Sequence, residues 1–410
     1  MNTVTDTHTS GYYISLEEQY GAHNYHPLPV VLERGEGVFV WDVEGNRYFD
    51  FLSGYSSVNQ GHCHPRILKA FIAQAQQLTL TSRAFYNNRL GEYEQYTTQL
   101  FGYDKLLPMN TGAEAVETAI KLARRWGYEE KGVEEGKATI IVCDNNFHGR
   151  TTTIISFSSS EGAKRNFGPY TPGFVSIPFN DKEALKKALE DKNVVAFLVE
   201  PIQGEAGIIV PDEDYLPAAK QYCSDAHVLF IADEIQTGLG RTGKLTACEH
   251  DSIRPDMLLL GKALGGGMVP VSAVLADDGV MGLLNPGEHG STFGGNPLAC
   301  AVAMEALKTL TEENMIANAA AMGELLRERL RAIQSPLIER VRGKGLLNAL
   351  VLKENTGSIA EQLCLRMKEN GLIAKPTHGN KIRFAPPLII TRNQVLEAVD
   401  IIEKSIKEIE

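Results

Sequence analysis

The chain has 410 residues, more than the roughly 250 to 300 at which a single hydrophobic core stops growing, so we expect a large domain with a smaller companion. Hydrophobic residues make up 43% and charged residues 22% of the chain, proportions that exclude disordered, collagen-like and coiled-coil proteins. The formal net charge is −11, with the acidic residues spread along the chain. It therefore lacks the general attraction to phosphate backbones on which nucleic-acid-binding proteins depend.

Targeting and cysteine patterns point to an intracellular protein. The sequence has no apolar run near the roughly 18 residues that a membrane span needs. Met1 to Gly11 lack the basic and apolar regions of a signal peptide and the arginine-rich pattern of a transit peptide. We therefore expect a cytoplasmic protein without a membrane partner. The six cysteines are scattered without a C-x-x-C pair, and they predict neither a disulfide framework nor a zinc cluster.

The first predicted elements are the two strands of a hairpin. Apolar runs at Val38–Trp41 and Tyr48–Leu52 flank a turn at Glu44–Asn46. A helical pattern then runs from Pro65 toward Leu78. We expect residues 1–60 to form an N-terminal segment whose hairpin packs on the smaller domain.

From about residue 100 the pattern becomes that of an α/β protein. Short apolar runs alternate with amphipathic helical segments, which is typical of a mainly parallel sheet with crossover helices. We therefore expect a large α/β domain over residues 61–305. Its clearest buried strands are Ala138–Cys143, Val194–Val199, Val228–Ala232, Met257–Leu260 and Val271–Ala276.

The last quarter of the chain predicts a separate α+β domain over residues 306–410. Helical stretches at Leu298–Leu310 and Met322–Ile333 lead into apolar runs at Leu346–Leu352 and Ile382–Phe384, and the chain ends in a helix. Because no linker rich in proline, glycine and serine separates the two regions, we expect a continuous helix to join them.

Asp233 and Lys262 each follow a predicted strand, and one strand–helix–strand unit separates them. Both side chains should emerge at the carboxyl ends of neighbouring strands, where open α/β sheets bind ligands. Small and apolar neighbours would lower the pKa of Lys262 toward the neutral form that a Schiff-base lysine needs. A nearby carboxylate could keep the pyridine nitrogen of pyridoxal 5′-phosphate (PLP) protonated. On this pattern alone, a structural ion pair is the more frequent alternative.

Two further segments are candidates for cofactor or substrate contacts. Asn110–Ala115 begins an amphipathic helix, whose free N–H groups suit a phosphate, although a plain Thr111 N-cap explains the same residues. Asn146–Thr151 follows a predicted strand. There Phe147 could stack on a planar cofactor and Arg150 could clamp a carboxylate, but a core phenylalanine and a surface arginine are the simpler alternative.

A glycine-rich segment resembles nucleotide-binding motifs but lacks their context. Gly238–Gly243 matches G-x-G-x-x-G, and with Lys244 it nearly matches a P-loop. No helical pattern follows directly, and Leu245 stands where a P-loop needs Ser or Thr. A nucleotide-binding regulator therefore remains a minor alternative. His62 and His64 do not share a helix face and predict turn histidines rather than metal ligands.

Several long motifs, in order along the chain, resemble the class III aminotransferases of PLP fold type I. The resemblance runs from about residue 20 to the C-terminus and implies a PLP-dependent transaminase rather than a structural ion pair at Asp233 and Lys262. The motifs are His23–Pro29, Asn59–Pro65, Thr81–Asn87, Glu200–Gly207, Ala232–Gly238, Gly261–Leu264 and His289–Pro297.

The resemblance implies a role for each residue around the cofactor ring. Lys262 would bind PLP covalently and afterwards carry the proton between the substrate carbon and the cofactor. Asp233 would pair with the pyridine nitrogen, and Gln236 would contact the ring oxygen. Phe147 would stack on the ring.

The phosphate contacts that the resemblance implies come from two chains. Gly112 and Ala113 would offer backbone N–H groups to the phosphate. Ser291 and Thr292 would reach the same phosphate from the neighbouring subunit, as in this family's dimers. A homodimer with shared active sites is therefore expected.

On the substrate side, the resemblance is to enzymes that transfer the δ-amino group of L-ornithine to 2-oxoglutarate in a ping-pong cycle, giving glutamate 5-semialdehyde and glutamate. Arg383 would clamp the carboxylate beside the reacting carbon of glutamate and 2-oxoglutarate. Glu205 would pair with Arg383 when ornithine is bound, because a lone buried guanidinium is costly. Tyr25, Tyr55 and Arg150 would hold the distal end of ornithine.

The alternative substrates are acetylornithine and other terminal amines, such as 4-aminobutyrate. His148 replaces the family's aromatic residue after Phe147, but acetylornithine enzymes also carry this histidine, so it does not separate the two. Tyr25 and Arg150 favour ornithine because they suit a free α-amino acid end. The semialdehyde product would cyclise to a pyrroline carboxylate, which would place the enzyme in arginine breakdown or proline formation.

Overall fold

The computed structural model describes residues 9–353 and 358–410. Residues 1–8, on which part of the expectation about targeting segments rests, lie outside the described residues. In the two described ranges, no helix is both long enough and apolar enough to cross a membrane.

Amphipathic segments form helices throughout the chain, and two short 3₁₀ helices lie at Ala247–Asp251 and Lys262–Gly265. The α-helices are α1 (Ser10–Tyr20), α2 (Ser53–Ser56), α3 (Pro65–Ala75), α4 (Leu90–Phe101), α5 (Gly112–Glu129), α6 (Thr152–Ile155), α7 (Glu161–Lys164), α8 (Lys182–Ala188), α9 (Tyr215–Asp225), α10 (Asp278–Met281), α11 (Pro297–Glu312), α12 (Met315–Ala332), α13 (Ile359–Glu369) and α14 (Arg392–Ile409).

The strands form three sheets. They are β1 (Leu32–Glu36), β2 (Phe39–Asp42), β3 (Arg47–Asp50), β4 (Lys105–Met109), β5 (Thr139–Cys143), β6 (Phe174–Ile177), β7 (Val194–Val199), β8 (Leu229–Asp233), β9 (Met257–Leu260), β10 (Ser272–Ala276), β11 (Ile338–Lys344), β12 (Leu347–Leu352), β13 (Leu372–Ile373), β14 (Lys375–Thr377) and β15 (Lys381–Phe384).

The central sheet has the order β4-β10-β9-β8-β7-β5-β6. Strand β10 runs antiparallel to both of its neighbours, and the other strands run in one direction, which confirms the predicted mainly parallel sheet. The inner strands are apolar apart from a polar residue at one end of β5, β8 and β10, because helices cover both faces. Strand β6, an edge strand whose Val175 and Ser176 are exposed, was not among the predicted strands.

Side chains of the central strands point alternately to two apolar clusters. In β5, Ile140 and Val142 pack in a cluster with residues of α5, including Val116. Ile141 packs in a second cluster on the opposite face with residues of α9, including Leu216. This double burial holds the strands rigidly, so that the loops at their carboxyl ends have fixed positions.

The predicted N-terminal hairpin is confirmed by the antiparallel pairing of β2 with β3. Strand β3 also pairs in parallel with β13, which lies far along the chain. The hydrogen bonding continues one residue beyond β3, because Phe51 N donates to Ile373 O of β13 at 2.9 Å. The first strands are therefore joined to the C-terminal part of the molecule, although the predicted limit at residue 60 stays a prediction.

The C-terminal part contains an antiparallel sheet of order β11-β12-β15-β14, against which α12 and α13 pack. The predicted boundary between residues 305 and 306 falls inside α11, so the backbone is helical across it. The helical run breaks later, where Asn314 takes a left-handed conformation with φ of 54° before α12. The domain limits themselves stay a prediction.

Candidate functional site

The carboxyl ends of four neighbouring strands bring the predicted cofactor residues together. Parallel strands end at one edge of a sheet, so the loops after β5, β7, β8 and β9 lie side by side in the order of the sheet. His148, Glu200 and Lys262 follow β5, β7 and β9, and Asp233 is the last residue of β8. Strand β4 runs in the same direction and leads into α5 at this edge.

Lys262 follows β9 after one glycine and begins a 3₁₀ helix with a left-handed φ of 45°. Its neighbours Ala263 and Leu264 are buried. Burial lowers the pKa of the Lys262 amine to about 8, although Glu205 acts in the opposite direction. Among the described residues, no hydrogen-bond or ion-pair partner holds its Nζ atom. The site therefore contains an amine that is readily deprotonated and free to react.

Asp233, at the end of β8, is buried and doubly held. Its Oδ2 accepts a hydrogen bond from His148 Nδ1 at 2.6 Å, and its Oδ1 accepts one from Ile235 N at 3.1 Å. Burial acts to lower the pKa of His148, but the hydrogen bond and charge of Asp233 raise it overall. Asp233 therefore favours the protonated form of His148 and is held in place by it. In the sequence, His148 stood out only as a departure from the family pattern.

Glu200 is a buried carboxyl that the sequence analysis left without a role. It follows β7, and its Oε2 accepts a hydrogen bond from Phe147 N at 3.0 Å. Burial raises the pKa of Glu200 to about 7, although the nearby charge of His148 opposes the shift. Glu200 therefore fixes the backbone of the segment that carries Phe147 and His148.

The N-terminus of α5 forms the opposite end of the site. Thr111 and Glu114 make a capping box that uses the backbone N–H groups of both residues. The first N–H groups of the helix, at Gly112 and Ala113, have no intrahelical acceptor and suit an anion. A side chain at Gly112 would crowd the loop after β8, since its Cβ would lie 3.1 Å from Ile235.

Ser291 lies at this phosphate end within its own chain. Asn110, two residues before Gly112, donates from Nδ2 to Ser291 Oγ at 2.8 Å. Thr292 is exposed. The contribution of Ser291 and Thr292 to a second subunit's site stays a prediction.

Arg383 and Gln236 converge on one oxygen of Glu205. Arg383 Nη1 and Gln236 Nε2 donate to Glu205 Oε1 at 2.9 and 3.1 Å. Burial alone would raise the pKa of Glu205, but Arg383 lowers it to about 2. Two buried atoms here, Gln236 Oε1 and Arg383 Nε, have no hydrogen-bond partner among the described residues. The pair is thus charged, buried and only partly satisfied.

Tyr55 lies beside this pair on an unusual turn. Residues 53–56, which make up α2, all have left-handed φ values between 50° and 71°. Such backbone costs energy at every residue except glycine, and Asp50 holds it by accepting hydrogen bonds from Leu52 N and Ser53 N at 2.9 and 2.8 Å. The guanidinium carbon of Arg383 lies 5.3 Å from the Tyr55 ring centroid. No local pattern signals this turn.

A cavity of about 340 Å³ opens beside these groups. Its lining includes Phe147, Arg150, Glu205 and His378. Arg150 is exposed, and its guanidinium carbon lies 5.5 Å from the Phe147 ring centroid. Tyr25 is 73% exposed and is not part of this lining. Of the predicted substrate residues, Arg150 and Glu205 therefore line this cavity. Arg383 and Tyr55 lie behind Glu205, through the contacts described above, and are not part of the lining.

The comparisons with known proteins give the family. The model of the family described as "Aminotransferase class-III" matches residues 20–406. The mitochondrial ornithine aminotransferase of Rattus norvegicus is 58% identical, with 97% of this chain and 91% of the relative covered.

Two solved structures have the same fold. The ornithine aminotransferase of Toxoplasma gondii, whose active site has partial PLP occupancy, superposes with a TM-score of 0.97 at 48% identity, with 98% of this chain and 95% of that chain covered. The acetylornithine aminotransferase of Elizabethkingia anophelis superposes with a TM-score of 0.90 at 57% identity, with 97% and 99% covered. These matches confirm the resemblance of the motifs, and the chain belongs to the class III aminotransferases.

Proposed function

We propose that the chain is a PLP-dependent aminotransferase that transfers the δ-amino group of L-ornithine to 2-oxoglutarate, giving glutamate 5-semialdehyde and L-glutamate. The buried ion pair between Glu205 and Arg383, 2.9 Å apart beside Lys262, is the observation that carries this proposal. When Glu205 moves away, Arg383 can bind a substrate that has a carboxylate beside the reacting carbon, such as 2-oxoglutarate. When Glu205 stays, it neutralises Arg383 while a substrate without that carboxylate, such as ornithine, is bound. The names of the rat and Toxoplasma relatives support the same reaction.

The residues present fit PLP. An aldehyde needs a deprotonated amine, and burial brings the pKa of Lys262 to about 8. The carboxylate of Asp233 would face the pyridine nitrogen. The buried amide oxygen of Gln236 has no hydrogen-bond partner within residues 9–353 and 358–410, so it is open to a contact from the cofactor. The N–H groups of Gly112 and Ala113 would hold the phosphate, and Phe147 would pack on the ring. When bound, PLP supplies an electron sink for the carbon that loses its proton.

Residues of the chain have distinct roles in proton transfer and in positioning the cofactor. Lys262 moves the proton at the substrate carbon, because a pKa of about 8 lets its amine both take up and release a proton close to neutral pH. Asp233 keeps a negative charge at the ring nitrogen, and His148 holds that carboxylate in place through the 2.6 Å hydrogen bond. Glu200 keeps the Phe147 segment in position.

The two half-reactions use Arg383 differently. Ornithine presents a δ-amine without an adjacent carboxylate, so Glu205 stays on Arg383 and neutralises it. In the other half-reaction the carboxylate of 2-oxoglutarate accepts a charge-assisted hydrogen bond from Arg383, and the contact between Glu205 and Arg383 is broken. Arg150, with Tyr25 and Tyr55, binds the distal end of each substrate.

Three further statements belong to this proposal. The enzyme works as a homodimer that shares its sites through Ser291 and Thr292. Its product cyclises spontaneously, which places it in arginine breakdown or proline formation. We also propose a cytoplasmic location, and cell fractionation tests it, because the rat relative is named as mitochondrial.

Acetylornithine is the second candidate substrate, because an acetylornithine aminotransferase shares 57% of its sequence with this chain. The test mixes purified holoenzyme with ornithine or with N-acetylornithine and follows the cofactor absorbance in a single turnover. Ornithine should discharge the absorbance at lower concentration and faster. Preference for the acetylated substrate would overturn the proposal in favour of the alternative.

Arg383→Ala tests the observation that carries the proposal. The variant should lose much more of the 2-oxoglutarate half-reaction than of the ornithine half-reaction, because only the former places a carboxylate on the guanidinium. Separate single-turnover measurements of the two halves check this. Equal losses would remove the role assigned to Arg383.

A further inference from the structure

The proposed function requires Glu205 to leave Arg383 each time 2-oxoglutarate binds, and the displaced carboxylate then needs another partner. We propose that His378 is that partner: a positioning residue that holds Glu205 away from Arg383 during the 2-oxoglutarate half-reaction. This inference rests on the proposed function and deepens it, because it assigns the second position of the Glu205 side chain.

The backbone around Glu205 is held on both sides. Thr377 Oγ1 donates to Glu205 O at 2.8 Å. Two residues further on, Arg342 donates to Gly207 O from Nε and Nη2 at 2.9 and 2.6 Å. The change of partner is therefore a rotation of the Glu205 side chain rather than a movement of its loop.

The carboxylate has room to rotate into the cavity. Its Oε1 carries both hydrogen bonds from Arg383 and Gln236, whereas its Oε2 accepts none from the residues that the structure describes. Glu205 itself lines the 340 Å³ cavity, and its side chain is 23% exposed. A rotation about the side-chain bonds would move the carboxylate away from Arg383 and into this space.

His378 is an exposed residue that lines the same cavity and offers a ring donor there. It directly follows Thr377, the residue that holds the Glu205 backbone, and it lies in the turn between β14 and β15. The described part of the chain supplies no hydrogen bond to its ring. Asn380 N and Lys381 Nζ bind its carbonyl oxygen at 3.1 and 3.2 Å, so its backbone position is defined.

Two of the other donors of the cavity, Arg150 and Asn146, are engaged. Arg150 binds the distal end of the substrate in both half-reactions under the proposed function. Asn146 Nδ2 already donates to Cys143 O and Phe157 O at 2.6 and 3.1 Å. Burial and the charges of Lys381 and Arg383 lower the pKa of His378, and the charge of Glu205 acts in the opposite direction.

His378→Phe removes the donor and keeps a ring of similar size. It should weaken the apparent affinity for 2-oxoglutarate by about tenfold, the loss expected for one hydrogen bond to a charged group. Single-turnover ornithine kinetics should stay unchanged, because Glu205 remains on Arg383 in that half-reaction. His378→Gln, which keeps a donor, should restore most of the affinity. His227→Phe, at the opposite end of β8, is the matched control and should change neither half-reaction.

Combining substitutions at His378 and Glu205 distinguishes a positioning role of His378 from a merely structural one. In a Glu205→Ala background no carboxylate needs a second position, so His378→Phe should have no further effect on 2-oxoglutarate binding. Equal losses in both half-reactions, or additive losses in the double variant, would overturn the inference. Failure of the parent enzyme to react with ornithine would instead overturn the proposed function, so the two failures are distinguishable.

Discussion

At the scale of single residues, the site depends on ionisable groups whose pKa values are shifted by burial and by neighbouring charges. Lys262 loses its proton near pH 8, whereas Glu205 keeps its charge to about pH 2 because Arg383 is beside it. The hydrogen bond and charge of Asp233 raise the pKa of His148. Each shift has a stated cause, so single substitutions should have specific effects.

Lys262→Ala should reduce transamination by roughly 10²- to 10⁴-fold or more, because it removes both the covalent attachment of PLP and the group that moves the proton. Borohydride reduction followed by peptide mapping should locate the cofactor on Lys262 in the parent protein. In the parent apoenzyme, attachment should accelerate as the pH rises through about 8. Lys244→Ala, an exposed lysine, is the control. A cofactor adduct on another side chain would contradict the assignment.

Glu200→Gln should change how stability depends on pH. Burial raises the pKa of Glu200 to about 7 from an unfolded value near 4.5, so its contribution is fully present below pH 4.5 and is lost as the pH rises through 7. The loss is roughly 3 kcal/mol for a shift of this size. The variant keeps an acceptor for Phe147 N and should be the more stable protein above pH 7. Denaturant unfolding of the parent and variant apoproteins at pH 5 and pH 8 checks this. The prediction is refuted if the difference in unfolding free energy between the two proteins is the same at both pH values.

At the scale of elements, two helices begin with the same device but face different surroundings. Thr111 caps α5 and Thr391 caps α14, and both helices have a capping box. Helix α5 directs its first N–H groups at the proposed phosphate position, whereas α14 packs on α12 and α13. Comparing substitutions at Thr111 and Thr391 therefore distinguishes the loss of stability caused by a missing helix cap from an effect on cofactor binding.

Thr111→Ala and Thr391→Ala should each cost about 1 kcal/mol of unfolding free energy in the apoprotein. Only Thr111→Ala should also accelerate dissociation of PLP, because it loosens the turn that carries Gly112 and Ala113. Chemical denaturation measures the first effect, and the loss of cofactor absorbance during dialysis measures the second. If both variants released PLP at the same rate, the phosphate would not be bound at α5.

At the scale of the whole molecule, exposed aromatic side chains mark a surface suited to a second copy. Phe85 and Phe293 are 74% and 56% exposed, and Tyr86 is fully exposed. Gly295, two residues after Phe293, lies close to Leu90, four residues after Tyr86, since a Cβ at Gly295 would lie 3.0 Å from the Leu90 side chain. Exposed apolar patches commonly mark interaction sites. This surface adjoins Ser291, which the proposed dimer needs near the phosphate.

The double variant Phe85→Asp, Tyr86→Asp should shift the protein from dimer to monomer in sedimentation experiments and should weaken PLP retention. Both effects follow if Ser291 and Thr292 complete the site across the interface. Val175→Asp, on the edge strand β6 at the opposite end of the central sheet, is the control. A parent protein that is monomeric and holds PLP firmly would contradict the shared site.

The sequence by itself determined the features that depend on residues close together along the chain. Buried strands show as apolar runs, so the central sheet and the positions of Asp233 and Lys262 at the ends of β8 and β9 were predictable. The helix start at Thr111 follows from capping chemistry. The roles of Gln236, Glu205 and Arg383 came from the family motifs rather than from any local pattern.

Only the tertiary structure decided the contacts between distant segments. His148 and Asp233 are 85 residues apart, and the sheet order places β5 close to β8 so that the two side chains meet. The left-handed turn at Tyr55, the buried Glu200 and the position of His378 on the cavity likewise carry no local signal. Periodicity and capping report on the nearest turns of the chain, whereas these features depend on which strands become neighbours and on how the C-terminal sheet packs against the loops of the central one.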